Sequence, residues 1–253
     1  MNTSAIHRLT RFSGILAAFL VVVSLPLFLI TASISWSVND QGLYRRGFER
    51  YDVSIVTRIT GPDLIQAGAE IRGYFNSRQE PLSVQTKIQG IHQELFNRRE
   101  ILHMADVKRL IWLVYGVAAA TGGYLLLMTL AGLAWKPQKH APILAKLYLS
   151  GGVLTLGLLV LIGLLSLGGF DRLFLKFHQI SFSNDLWQLN QNTDYLLMMF
   201  PEPFWFYATV WVATFTVAGA LVAMIISAGY LITHSRSLKK EAPLPADQPE
   251  RAL

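Results

Sequence analysis

Residues 110–135 read LIWLVYGVAAATGGYLLLMTLAGLAW, without one charged side chain. A helix crosses roughly 30 Å of hydrocarbon in about 20 residues. Lipid offers no partners for exposed backbone N–H and C=O groups, so a run of this length predicts a membrane-spanning helix. Three more runs of the same kind are present: Phe12–Ser35, Ile143–Leu167 and Phe204–Thr233. The fold expected is an all-α integral membrane protein, a four-helix transmembrane bundle with helical extracytoplasmic segments between spans 1–2 and 3–4.

Composition agrees with that reading. The 253 residues are 52% hydrophobic and only 15% charged, and mean hydropathy is +0.38. Soluble domains carry about a quarter charged residues. Cysteine is absent, which removes disulfides, thiolate nucleophiles and Cys-ligated zinc from consideration. The first run has the basic start of a signal peptide, but it is longer than a signal core, and only Thr31–Ala32–Ser33 resembles a cleavage site. A retained span kinked at Pro26 is expected.

Basic residues near span ends set orientation. Arg8 and Arg11 precede span 1, Lys136, Lys139 and Lys146 fall at the second connection, and Arg236, Lys239 and Lys240 follow span 4. These places are expected in the cytoplasm, with segments 36–108 and 168–203 outside. The net charge of +6 then reads as topology with attraction to anionic membrane lipid. No clustered basic face on a soluble domain points to nucleic acid. Residues 1–235 are expected as one membrane-embedded domain, and 236–253 as a disordered cytoplasmic tail rich in Pro and charge.

Within 36–108, the stretch GPDLIQAGAEIRGYFNS repeats Leu64, Ala67, Gly68, Ile71 and Phe75 at helical spacing. That helix is expected on the membrane surface or packed on the bundle. From Ser83 a second helical pattern is expected through Ile88, Ile91, Leu95 and Leu102. Within 168–203, Phe170, Phe174, Phe177, His178 and Phe182 share one helical face, broken by Asn184–Asp185. A short helix is expected from an N-cap at Thr193 to Pro201. So many apolar side chains in a connection predict immersion at the bilayer interface, where Trp187, Tyr195 and Trp205 suit the headgroup level.

Of six histidines, His7, His140 and His234 fall near cytoplasmic span ends, where headgroup contact accounts for them, and His92 is expected on a polar helix, solvated. His103 and His178 lie just outside spans 2 and 3, at the same expected depth. Glu100 and Asp106 flank His103 at three residues, a spacing that lets a carboxylate orient an imidazole. Two imidazoles beside Asp106, Asn184 and Asp185 form a candidate acid–base pair; the bland alternative is a pair of interfacial side chains satisfied by water. Two His with two Asp also admit zinc, but no HxxxH or HxH spacing is present, and neither metal nor cofactor is expected. No G-x-S-x-G elbow supports a serine nucleophile.

Three blocks, LFNRREILHMADVKRL (95–110), FHQISFSNDLW (177–187) and TDYLLMMFPEPFW (193–205), resemble the lipoprotein intramolecular transacylase family, Lit, four-span bacterial membrane proteins. The resemblance implies an acyltransferase of the plasma membrane. It would move the sn-2 acyl chain of an S-diacylglyceryl-cysteine lipoprotein onto that cysteine's α-amine, giving a lyso-form product at the outer leaflet. Its partners would be diacylated lipoproteins and membrane lipid. His103, oriented by Asp106, would then be the base and His178 the acid, or the reverse. Asn184 or backbone N–H groups beside it would hold the oxyanion, and Phe174, Phe177 and Trp187 would line an acyl slot. Two rivals are an acyltransferase drawing on phospholipid and a non-catalytic sensor or assembly subunit. A transporter fits least, because no span carries a charge at its middle.

Overall fold

The computed structural model describes residues 3–241. The side chains of His7, Arg8, Arg11, Lys239 and Lys240, and the tail beyond 241, lie outside the described residues. Four helices are long and apolar enough to cross a membrane: α1 (Thr3–Asn39), α5 (Arg98–Ala134), α6 (Pro137–Ser166) and α9 (Glu202–Glu241). Between them lie α2 (Gln41–Arg50), α3 (Val53–Thr57), α4 (Gly61–Phe75), β1 (Gln85–Ile88), β2 (Ile91–Glu94), α7 (Phe170–Ser181) and α8 (Tyr195–Met199). The expected spans match these helices, overrunning them only at the cap residues Trp135 and Leu167, and Pro26 lies within α1. The fourth helix runs further than expected: residues 236–241 continue α9, because SRSLKKE holds helix formers and the first breaker is Pro243.

α1 packs against all three other spans, and α6 packs along α9. Small residues allow this closeness: a Cβ on Gly151 would meet Leu25 Cβ at 3.0 Å. Buried polar groups are paired across helices, Thr216 Oγ1 donating to Ser33 Oγ at 3.1 Å.

Of the two placements expected for the first connection, packing on the bundle is what the structure shows. This connection folds into a cap over one end of the bundle, with a core of Tyr44, Phe48, Ile71, Phe75, Met104 and Phe200. Burying each such side chain contributes roughly 1.5–3 kcal/mol. Lys108, on α5, staples this cap down. Its Nζ donates to the Gln79 carbonyl at 2.6 Å, pairs with Glu80 at 3.3 Å and stands 4.0 Å from the Tyr74 ring centroid.

The helical pattern expected from Ser83 is instead an antiparallel hairpin, Ile88 opposite Ile91. Its two-residue turn, Gln89–Gly90, has φ of 53° and 83° at the two positions. Both values lie in the left-handed region that a tight hairpin requires and that glycine favours. Apolar spacings of three and four imitated a helix, and the Gln–Gly pair was the countersignal. His92 is therefore exposed on β2 rather than on a helix. The helix begins only at Arg98, where Asn97 and Glu100 form a capping box.

Candidate active site

His103 is placed by the start of α5. Asn97 Oδ1 accepts from the backbone N–H groups of Arg99 and Glu100, and Glu100 Oε2 accepts from the Asn97 N–H at 2.7 Å. The second oxygen of Glu100 accepts from the Leu196 N–H, also at 2.7 Å, so this buried carboxylate ties α5 to α8. One turn further, His103 is 6% exposed, and its Nδ1 is buried without a hydrogen-bond partner.

His178 comes from α7, an amphipathic helix with no buried residue. Its Nδ1 donates to the Phe174 carbonyl one turn back, at 2.8 Å. A carbonyl only accepts, so Nδ1 carries the proton and Nε2 presents a lone pair. Burial pushes the His178 imidazole below the ordinary histidine range, opposed by the bond to Phe174, which favours the charged form.

The two rings meet. Their centroids are 6.2 Å apart and their planes inclined at 31°. Aromatic side chains hold them: Phe174 and Trp187 stand 4.4 and 5.2 Å from His178, and Phe182 meets His103 edge-on at 5.1 Å. Both histidines line one cleft of about 310 Å³, walled by Phe174, Trp187, Leu196, Leu197, Phe200 and Trp205. A second, more polar cavity of about 510 Å³ adjoins it, with Leu175, Trp187 and Gln188 common to both.

The other residues singled out from the sequence divide. Phe174 and Trp187 line the histidine cleft. Phe177 packs beside His178 at 5.3 Å, but 47% of it is exposed, away from the cleft lining. Asp106 forms no hydrogen bond to His103, although its charge acts on that ring: its Oδ1 pairs with Arg109 at 2.5 Å and its Oδ2 accepts from Asn184 Nδ2 at 2.8 Å. The Asn184 donor is thereby spent on Asp106, while Asn184 Oδ1 accepts from the Leu186 N–H. Asp185 accepts from Gln188 Nε2 and, through its backbone carbonyl, from Arg99. Asn184 and Asp185 line the adjoining cavity. These three residues brace the α7–α8 connection against α5.

The short helix there starts one residue late, at an Asp194 N-cap to which the Thr193 hydroxyl donates. Phe182, expected on the helical face of His178, is instead the extended residue that ends α7 and packs on His103; reading the sequence missed the Phe174 carbonyl and the pocket-lining Asp171 and Glu202. Glu100 was noticed as a neighbour of His103, whereas the Asn97-x-x-Glu100 spacing is a capping-box signal. Of the remaining histidines, His140 Nδ1 donates to the Trp135 carbonyl and His234 stacks on Tyr230 at 5.7 Å. Among the described residues, no three His, Asp or Glu side chains gather as a metal would need.

Arranged this way, the cleft offers a lone-pair imidazole nitrogen, a second imidazole beside it and apolar walls. That set suits proton transfer during acyl chemistry on a lipid-bearing molecule.

Comparison with known proteins gives the same direction. The family model of lipoprotein intramolecular transacylase Lit matches residues 19–205. A solved structure of the membrane-integral lipoprotein intramolecular transacylase Lit from Bacillus cereus superposes with a TM-score of 0.75 at 20% identity, covering 88% of this chain and 97% of that one. A variant of it with one histidine replaced by arginine gives 0.74 at 18% identity, covering 94% and 100%. No curated protein matches the chain in sequence.

Proposed function

The chain belongs to the Lit family of lipoprotein intramolecular transacylases, membrane acyltransferases, and from that premise we propose that His178 and His103 carry the transfer together. The acceptor is the α-amine of a lipid-anchored cysteine, and the donor is the sn-2 ester of the diacylglyceryl group on the same cysteine. Amine and ester belong to one molecule, so the cleft mainly selects a folded conformer that brings them together.

The observation that carries this reading is the pair of imidazoles 6.2 Å apart in one cleft, each from a different element. The base is assigned to His178, exchanging the roles first set from the sequence, because the Phe174 carbonyl fixes its tautomer and supports its imidazolium. The ammonium first loses one proton to water. As the neutral amine attacks the ester carbonyl, its next proton passes to His178 Nε2 and the C–N bond forms. Collapse breaks the ester C–O bond, and the glycerol oxygen takes the proton back from His178. His103 acts as a hydrogen-bond donor toward the oxygen that gathers charge, a role of the oxyanion-hole type. The acyl chain lies along Phe174, Leu197 and Trp205 and reaches lipid between α7 and α9.

The cleft sits at the bundle end opposite Lys136, Lys139 and Lys146, which agrees with cytoplasmic termini and a reaction at the outer leaflet of the plasma membrane. The test is expression in bacteria holding only diacylated lipoproteins, with the N-terminal lipopeptide mass as readout. Transfer within the molecule leaves the acyl count unchanged and moves one chain to nitrogen. A gain of one acyl chain would instead show a phospholipid donor and contradict the reading.

A further inference from the structure

Two carboxylates line the histidine cleft that the chemistry above does not use: Asp171, in the first turn of α7, and Glu202, in the first turn of α9. Two ring contacts join the starts of these helices, Phe170 on Phe206 at 5.4 Å and Phe174 on Trp205 at 5.9 Å, and both acids line the same cleft. Among the described residues, neither carboxylate forms a hydrogen bond or an ion pair. No lysine or arginine lines the cleft. On α7 the nearest cations are Arg172, which follows Asp171 and is exposed but does not line the cleft, and Lys176, engaged by Gln179 at 3.0 Å. In the same cleft stands His103, more than nine-tenths buried, with Nδ1 unpaired. Both carboxylates are exposed to solvent, so the buried, unpaired His103 nitrogen is the group in this cleft that a ligand would complete.

We propose that Asp171 and Glu202 are recognition residues for the cationic α-ammonium of the lipid-anchored cysteine, and that they separate substrate from product by charge. This rests on the transacylase reading, which supplies the amine. A cleft lined by two carboxylates and by no lysine or arginine concentrates a cation. The reaction converts that ammonium to a neutral amide, so the attraction that admits the substrate is absent for the product. Charge loss thereby favours departure of the N-acylated form and holds back rebinding. Acids that touch only the charged form contribute to binding, while proton transfer stays with the histidines.

The experiment uses the full-length protein in detergent carrying His178→Ala, so that no probe is converted. Two probes are compared: a synthetic S-dipalmitoylglyceryl-cysteinyl peptide with a free α-amine and its N-acetyl counterpart. At neutral pH the free-amine probe is expected to bind about tenfold more tightly, as two partly exposed charge pairs allow. Adding Asp171→Asn and Glu202→Gln brings that ratio to about one, with affinity for the N-acetyl probe unchanged. The charge-keeping pair Asp171→Glu and Glu202→Asp retains the preference. The proposal is overturned if the preference survives neutralisation or is missing at the outset. It is equally overturned if neutralisation weakens both probes alike, since the acids then serve the fold. An intact charge preference in a chain that never transfers an acyl group would instead overturn the transacylase chemistry alone.

Discussion

His178 donates its Nδ1 proton to the carbonyl of Phe174, 2.8 Å away and one turn earlier on the same helix. That bond leaves Nε2 as the basic nitrogen, and desolvation of the half-buried ring holds its pKa below the ordinary value of 6.5. The sign follows from burial: the cation is disfavoured, so lower pH is needed to protonate the ring, and the imidazole stays neutral at physiological pH. Carbethoxylation by diethyl pyrocarbonate consumes the neutral imidazole. Followed by mass spectrometry against pH, modification of His178 is expected to fall off with a midpoint below about 6.5. A midpoint at or above that value contradicts the placement.

Asp106 serves as a brace between Arg109 and Asn184. Arg109 is 78% exposed while the Asp106 side chain is only 11% exposed, and a pair solvated on its arginine side is worth about 1 kcal/mol. Asp106→Asn is therefore expected to keep at least about a tenth of the transfer rate, since 1.4 kcal/mol corresponds to a factor of ten. An orienter of a catalytic imidazole would show a loss as large as removing His103 itself. Initial rates of the purified variant on a diacylated lipopeptide separate the two.

Glu100 is 1% exposed and accepts backbone N–H groups from both Asn97 and Leu196. Glu100→Ala leaves the buried Leu196 N–H unpaired, at about 1–3 kcal/mol, while Asn97, an exposed residue, can turn its N–H to water. A clear drop in the thermal unfolding midpoint in detergent is expected, together with lower activity from a loosened α8 wall. An unchanged midpoint would show that α8 is held by packing alone.

What could be read from the sequence followed from how far each signal reaches along the chain. The four spans were legible because lipid enforces helices on every long apolar run, and His103 and His178 because alternation of spans places both at one end. The hairpin was not, because Ile88, Ile91 and Leu95 fit helical spacing while the left-handed turn at Gln89–Gly90 is a backbone property. Asp106 was assigned to His103 from its spacing of three, yet its partner Asn184 lies 78 residues away. The group that does fix an imidazole tautomer, the Phe174 carbonyl, is main chain and carries no residue signature. Asp171 and Glu202 meet only through the α7–α9 aromatic contacts.

The measurement that bears most directly on the paired histidines is single-turnover acyl transfer by His103→Ala, His178→Ala and the double variant, each checked for membrane insertion. Each single change is expected to lower the rate by ~10²–10⁴-fold. The double variant should be little slower than the worse single one, because the two rings act in one step and their losses do not add. Near-wild-type rates in either inserted single variant would contradict the account.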